Sequence, residues 1–299
     1  MIESLRQVQV VGALARLART GGWADILEGR PLTDELDVAD ARLLVAAQVL
    51  RESAGGRLEP VDLHPWYDDP QILAANLVAE LRRALHHGHD EDRLTATDPD
   101  QILAMGVASR SVAAILAEGV LPMLPVTRDR LDEGRARFLD VGVGTGAIAQ
   151  TICETFPGTS AVGLDVSFEA LSMAKEHLAE SPVGHLIELR QQSVVDLVDE
   201  DAYDLAWMPQ IFLSRADLEV GLGRVRRALR PGCWLVMPVA ASADGCTPLE
   251  AAALEHDAVL RGGGPMSVLC AAELLREAGF ARVRDMPGVS QSLVMAQAA

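Results

Sequence analysis

The stretch FLDVGVGTGAIA, Phe138 to Ala149, decides how this sequence folds. An apolar run ends in glycines, and a helical pattern follows at once. Glycine tolerates positive φ and lets the backbone approach a ligand closely, while the helix start behind it presents unpaired N–H groups. Gly142, Gly144 and Ala147 fit the spacing G-x-G-x-x-G/A, which serves two kinds of nucleoside ligand. One kind carries a pyrophosphate, the other a sulfonium and an ammonium.

Asp140, two positions before the first glycine, separates the two. A carboxylate there repels a pyrophosphate seated at the same helix start, but it favours a cationic group. Asp165 closes the next apolar run, SAVGLDV, where an acid accepts hydrogen bonds from ribose hydroxyls in either case. Asp165 thus supports an adenosine without choosing between the ligands.

Outward from this loop the chain has two textures. From Ala136 onward, short β-type runs alternate with helical ones, the pattern of a parallel sheet with crossover helices. The runs are FLDVGV, SAVGLDV, HLIELRQ, YDLAWM, CWLVMPV, ARVRDMP and QSLVMAQ. Helices are expected around Ala147–Thr155, Phe168–Ala179, Ala216–Leu229, Pro248–Leu260 and Cys270–Ala278. The last two strands are joined near Pro287-Gly288 by a turn too short for a parallel crossover, so they must be antiparallel. The fold class is therefore α/β, a Rossmann-like seven-stranded sheet with an antiparallel last strand, which sets it apart from a six-stranded dinucleotide sheet.

The first third reads as helical, with apolar spacing of three and four over Leu5–Leu17 and Val38–Leu50, separated by the polar turn GRPLTDEL. SAGGRLEP reads as a loop. Further helices are expected through ILAANLVAELRRALHH and from Gln101 to about Leu121. Residues 1–95 are taken as a helical N-terminal region and 96–299 as the cofactor-binding domain.

Composition narrows the partners. The 299 residues carry 43 acidic against 26 basic side chains, a net charge of -17, and show no polybasic run. Nucleic acid and anionic membranes are excluded as expected partners, because both need clustered positive charge. No apolar run approaches the roughly 20 residues of a bilayer span, and MIESLRQVQVVGALARLART does not resemble a signal peptide, so a cytoplasmic protein is expected. Cys153, Cys233, Cys246 and Cys270 stand far apart, without a C-x-x-C pair, and read as small buried hydrophobes. HHGHDED, His86 to Asp92, has metal-ligand residue types but ends a helix, where histidines favour the helix C-terminus; no metal is expected.

Residues Ala136 to Ala299 resemble the class I S-adenosylmethionine-dependent methyltransferases, on FLDVGVGTG, GLDVS, YDLAWMPQIFL, RALRPGCWLVMP and LLREAGFARVR in that order. The approach LPMLPVTRDRLDEGRARFLDVGVGTG is also similar to small-molecule members that have an N-terminal dimerisation region. The resemblance implies S-adenosylmethionine as cofactor, a small-molecule acceptor, a place in specialised metabolism and a homodimer. Gly142, Gly144 and Gly146 would wrap the methionine part, Asp140 would hold its amino group, and Asp165 would accept from both ribose hydroxyls. Val166 and Phe168 would lie near the adenine. Ser193 stands where the family often has the aspartate that meets the adenine amino group. Trp207, Met208, Pro209 and Gln210 would face the methyl group and substrate, with Phe212 beside them.

The acceptor side departs from the family. Related oxygen methyltransferases often place Leu-His-Asp-Trp after the fourth strand, with the histidine as base; this chain has Leu213-Ser214-Arg215-Ala216. His256 is the replacement candidate, set against an exposed helix histidine beside Glu255 and Asp257. His64 and Tyr67, in HPWYDD, are candidates for the acceptor site, and Gln210 could orient an acceptor without acting as a base. Arg261-Gly262-Gly263-Gly264 reads as a lid segment or a helix terminator. The alternatives are a cofactor-binding scaffold that no longer methylates and a nicotinamide oxidoreductase, the latter disfavoured by Asp140 and the strand count.

Overall fold

A computed structural model describes residues 2–53, 55–61, 102, 106, 109–110, 112–241, 248–286 and 292–299. The chain divides into two compact units, Met1–Gly88 with Leu103–Ala108, and His89–Ile102 with Ser109–Ala299.

In the first unit, α1 (Ile2–Thr20), α2 (Gly22–Glu28) and α3 (Glu35–Ala46) enclose a small core of Leu17, Trp23, Ile26, Leu44 and Leu50. Asp34 caps α3 by accepting from the N–H groups of Leu36 and Asp37. The buried Asp40 carboxylate takes two hydrogen bonds from Arg16, at 2.8 and 2.7 Å. The sequence expectation needs two corrections here. The helix expected to reach Leu50 stops at Ala46, because Gln48 turns to a φ of 60° and the chain leaves as a strand. The stretch read as a loop supplies β2 (Leu58–Pro60), which pairs antiparallel with β1 (Leu50–Glu52) around Gly56. Three-residue strands are too short to register an alternating pattern.

The second unit holds all seven expected strands: β3 (Arg137–Val141), β4 (Ser160–Asp165), β5 (Ile187–Gln191), β6 (Tyr203–Trp207), β7 (Leu229–Val239), β8 (Phe280–Met286) and β9 (Ser292–Ala298). Their order is β5-β4-β3-β6-β7-β9-β8. The strands from β5 to β7 run parallel, and β9 inserts antiparallel between β7 and β8. The helices are α4 (Pro125–Asp132), α5 (Ala147–Thr155), α6 (Phe168–Ala179), α7 (Arg215–Ala228), α8 (Pro248–Leu260) and α9 (Val268–Glu277). Before α4, Leu116–Val120 forms a π turn and Leu121–Met123 a 3-10 turn.

Alternation along β3 sorts its side chains between two cores. Leu139 and Val141 join Val162, Leu235, Leu222 and Val225 on one face. Phe138 joins Leu205, Val236, Leu131 and Ile152 on the other. Covering both faces removes the polar alternation from the central strands, which is why FLDVGV and YDLAWM are almost wholly apolar. Asp140 falls on the Phe138 face, opposite Gly163 of β4 and Trp207 of β6.

At the amino end of β6, Asp204 is 0% exposed and bridges Arg130 and Arg230, each at 2.6 Å, while accepting the Arg137 N–H at 2.8 Å. Removing it would strand two guanidinium groups and a backbone donor. Asp204→Ala is expected to cost about 3 kcal/mol of stability, read as a lowered denaturant midpoint of the sheet-bearing unit; a change within about 0.5 kcal/mol would show the cluster to be solvent-compensated.

Candidate active site

β3 delivers the chain into the glycine loop at the carboxyl edge of the parallel strands, where open α/β sheets place their ligands. Gly142 and Gly144 adopt φ of 73° and 54°, and a Cβ on either would meet nothing within 4 Å. These glycines are needed for backbone conformation, and the space beside them is open. The loop is pinned from below, since the N–H groups of Gly142 and Val143 both donate to the Leu164 carbonyl, at 2.8 and 2.9 Å. This close approach depends on Gly163, where a Cβ would lie 2.5 Å from Val143 Cγ2. Gly163 was not singled out in the sequence, because nothing along the chain marks a residue whose importance is the side chain it lacks.

Asp165 closes the loop from the side. One carboxylate oxygen accepts from the Gly144 N–H at 3.0 Å and the other from the Ser167 N–H at 2.9 Å. A carboxylate has about four acceptor positions, so hydroxyl donors can still be taken. Val166 and Phe168, just beyond, are 69% and 63% exposed. Ser193, at the end of β5, is half-buried and its Oγ accepts from the Val195 N–H at 3.4 Å.

Asp140 is the unusual group. It is 1% exposed, and both its carboxyl oxygens lack a hydrogen-bond partner. Burial pushes its pKa up to about 8; the Ala149 N–H opposes the shift from outside hydrogen-bonding geometry, and the like charge of Asp165 adds to it. A buried carboxyl with two orphaned oxygens under an open glycine arc fits a cation, and the ammonium of S-adenosylmethionine is one.

Residues 139–235 match the family model described as a methyltransferase domain. This chain is an S-adenosylmethionine-dependent methyltransferase with the class I fold. The release factor glutamine methyltransferase of Cereibacter sphaeroides is 29% identical to it over 262 residues, 73% of this chain and 90% of that protein. Other curated relatives are matched over less, 47% of the length of the Nitratidesulfovibrio vulgaris release factor glutamine methyltransferase and 34% of a Bordetella pertussis ribosomal protein glutamine methyltransferase. Among solved structures, human N-acetylserotonin methyltransferase in complex with S-adenosylmethionine superposes with a TM-score of 0.67 at 17% identity, over 99% of this chain and 95% of that one. An O-methyltransferase family protein from Burkholderia thailandensis gives 0.65 at 16%, over 100% and 97%. At these identities the structures establish the fold.

The methyltransferase's acceptor side is built differently from the sequence expectation. Met208 is fully buried, and its Cε packs against Gly221 of α7, so its side chain belongs to the core. Gln210 is also fully buried. Its Nε2 donates to the carbonyls of Gly263 and Gly264, both at 3.0 Å, and its Oε1 accepts the Ala240 N–H at 3.3 Å. With its amide engaged at both ends, Gln210 positions backbone. Phe212 is 39% exposed. Ser214, in the position of the family's histidine, caps α7 by accepting from the Asp217 N–H at 3.1 Å and donating to its carboxylate at 2.7 Å. His256 is exposed on α8. His64, Tyr67, HHGHDED and Cys246 lie outside the described residues. Among the described residues no helix is long and apolar enough to cross a membrane, and no group of three or more metal-ligating side chains forms.

Between the ordinary pKa of a carboxyl and about 8, the folded ligand-free methyltransferase holds a proton on Asp140 that the unfolded chain releases. The folded state then binds more protons, so this group's contribution to stability falls as pH rises from about 4 to about 8. Relative to Asp140→Asn, the wild-type protein should lose stability across that window, with the variant the more stable ligand-free form at pH 7. Parallel melting curves from pH 4 to 8 would contradict the assignment.

Proposed function

We propose that this methyltransferase transfers its methyl group to a small-molecule acceptor, at oxygen, nitrogen or carbon, with alignment supplying most of the acceleration. Displacement at a sulfonium methyl is in-line, so holding the nucleophile on that line replaces much of the barrier. A base is needed only where the acceptor must lose a proton. The observation that carries the cofactor half is Asp140, buried and without a partner beneath Gly142 and Gly144. In this reading Asp140 takes the ammonium, Gly142, Gly144 and Gly146 follow the methionine chain, and Asp165 accepts the ribose hydroxyls. Val166 and Phe168 flank the adenine, and Ser193 offers its remaining acceptor capacity to the adenine amino group. S-adenosylmethionine supplies the electrophilic methyl; the chain supplies the grip and the approach line.

The small-molecule half is supported by near-complete coverage of folds such as that of N-acetylserotonin methyltransferase, whose own name specifies a small acceptor. A homodimer in the cytoplasm, serving specialised metabolism and divided into 1–95 and 96–299, belongs to the same proposal, as do His64, Tyr67 and Phe212 as acceptor contacts and His256 as a base. The Cereibacter sphaeroides relative favours a second reading, a glutamine side chain of a protein as acceptor.

Methyl-labelled S-adenosylmethionine offered together with hydroxylated and amino-bearing small molecules and with a translation release factor separates the two. Label is expected in the small molecules; label confined to the release factor would overturn this acceptor class. Asp165→Ala should weaken binding of the demethylated cofactor at least about tenfold, the loss of one or two charge-assisted hydrogen bonds. Unchanged affinity would remove Asp165 from the ribose site.

A further inference from the structure

Val38, Ala41, Arg42 and Val45 recur at three and four residues along α3 and so share one of its faces. That face lines a cavity of about 570 Å³, closed on the other side by Ile26 of α2 and Leu58 of β2. The volume is in the range of small-molecule sites. Ile26 and Ala41 are both buried and give the cavity an apolar floor. Its rim is fixed by a glycine. α2 ends at Gly29, whose φ of 70° turns the Gly29 and Arg30 N–H groups back onto the Ile26 and Asp25 carbonyls, at 3.0 and 2.7 Å. A Cβ on Gly29 would stand 2.6 Å from Nε and Cζ of Arg57, so the missing side chain leaves room for that guanidinium to lie across the helix end. There Arg57 Nη2 donates to the Leu27 carbonyl at 3.2 Å.

Four charged side chains line the cavity: Arg30, Arg42, Glu52 and Arg57. Arg30 is neutralised by ion pairs to Asp25 and Glu28. Arg57 donates to one carbonyl, and a guanidinium has five donors. Arg42 has no ion pair or hydrogen bond among the described residues. Glu52, toward the hairpin turn at Gly56, is the single opposing charge of the lining. Two arginines therefore stand unmatched against one carboxylate. In a chain of net charge -17, such a rim attracts an anion selectively, and the planar guanidinium suits a carboxylate. A small hydrated anion would leave the apolar floor uncovered, whereas an anion with an apolar body would cover both.

We propose that the cavity between α2, α3 and the β1–β2 hairpin binds a carboxylic acid with an apolar body, its carboxylate at Arg42 and Arg57 and its body over Ile26, Ala41 and Val45. All of its lining residues belong to the first unit, and none comes from the cofactor loop. The site is a ligand site in addition to the one at Asp140, and it does not depend on the identity of the methyl acceptor. Because the ligand binds the folded unit alone, it stabilises that unit by mass action.

The test offers the full chain octanoate and phenylbutyrate, each paired with its neutral primary amide, and reads binding by calorimetry and by thermal melting. Both acids are expected to bind, to raise the melting temperature as their concentration rises, and to exceed their amides about fivefold in affinity, the scale of exposed ion pairs. Arg42→Gln and Arg57→Gln should each narrow that preference, and Glu52→Gln should widen it. Val45→Phe, which fills the cavity with apolar bulk, should weaken acids and amides alike at least about tenfold. The demethylated cofactor should bind all four variants within about twofold of the wild-type protein. Absence of binding by both acids, equal binding of acids and amides, or a preference that Arg42→Gln leaves unchanged would overturn the proposal. Arg42 has no partner to lose, so its variant decides the matter even if Val45→Phe fails to fold. Self-association of the chain that octanoate reverses would overturn it too, by showing that a second copy covers the cavity.

Discussion

A carboxyl group placed on a central parallel strand, under a helix and without a partner, is the constraint around which this active site is organised. Asp140 is 1% exposed, between Gly163 of β4 and Trp207 of β6. Two states relieve the cost: the carboxyl keeps its proton, or a cation arrives. The rest of the loop serves the second state. Gly142 and Gly144 leave open space beside the backbone, and Leu164 and Asp165 hold the loop's N–H groups. Gly163 lets Val143 settle onto β4. Asp140 is thus left with an unmet interaction, which the proposed contact with the cofactor's ammonium would satisfy.

The cofactor half of this arrangement was legible in the sequence because its signals are local. A strand, three glycines and a helix are consecutive, so Asp140 could be placed on β3 and Asp165 at the end of β4 by counting. The seven strands were legible for the same reason, each being an apolar run bounded by turn residues. The β1–β2 hairpin was not, since three-residue strands leave no period to detect. The burial of Asp140 was likewise invisible, because solvent is excluded by α5 folding back over the strand.

The acceptor half was read less well, and its chemistry explains why. Gln210 has the residue type of a substrate contact, but its partners Gly263 and Gly264 lie more than fifty residues away in sequence, and only the fold reveals that they occupy its amide. Ser214, which stands where related enzymes have a histidine base, is followed by an aspartate three residues on and caps α7. Arg261 drew notice only as the border of a glycine run. In the fold it stacks on Phe212, a residue on another segment.

The account stands on Asp140 exchanging a proton for the cofactor's cation. Calorimetry of the demethylated cofactor at pH 7, in two buffers of different ionisation heat, counts the protons released on binding. With the Asp140 pKa near 8 before binding, close to one proton should leave per cofactor bound, and none should leave in Asp140→Asn. Binding without proton release by the wild-type protein, at an affinity that Asp140→Asn matches, would contradict it.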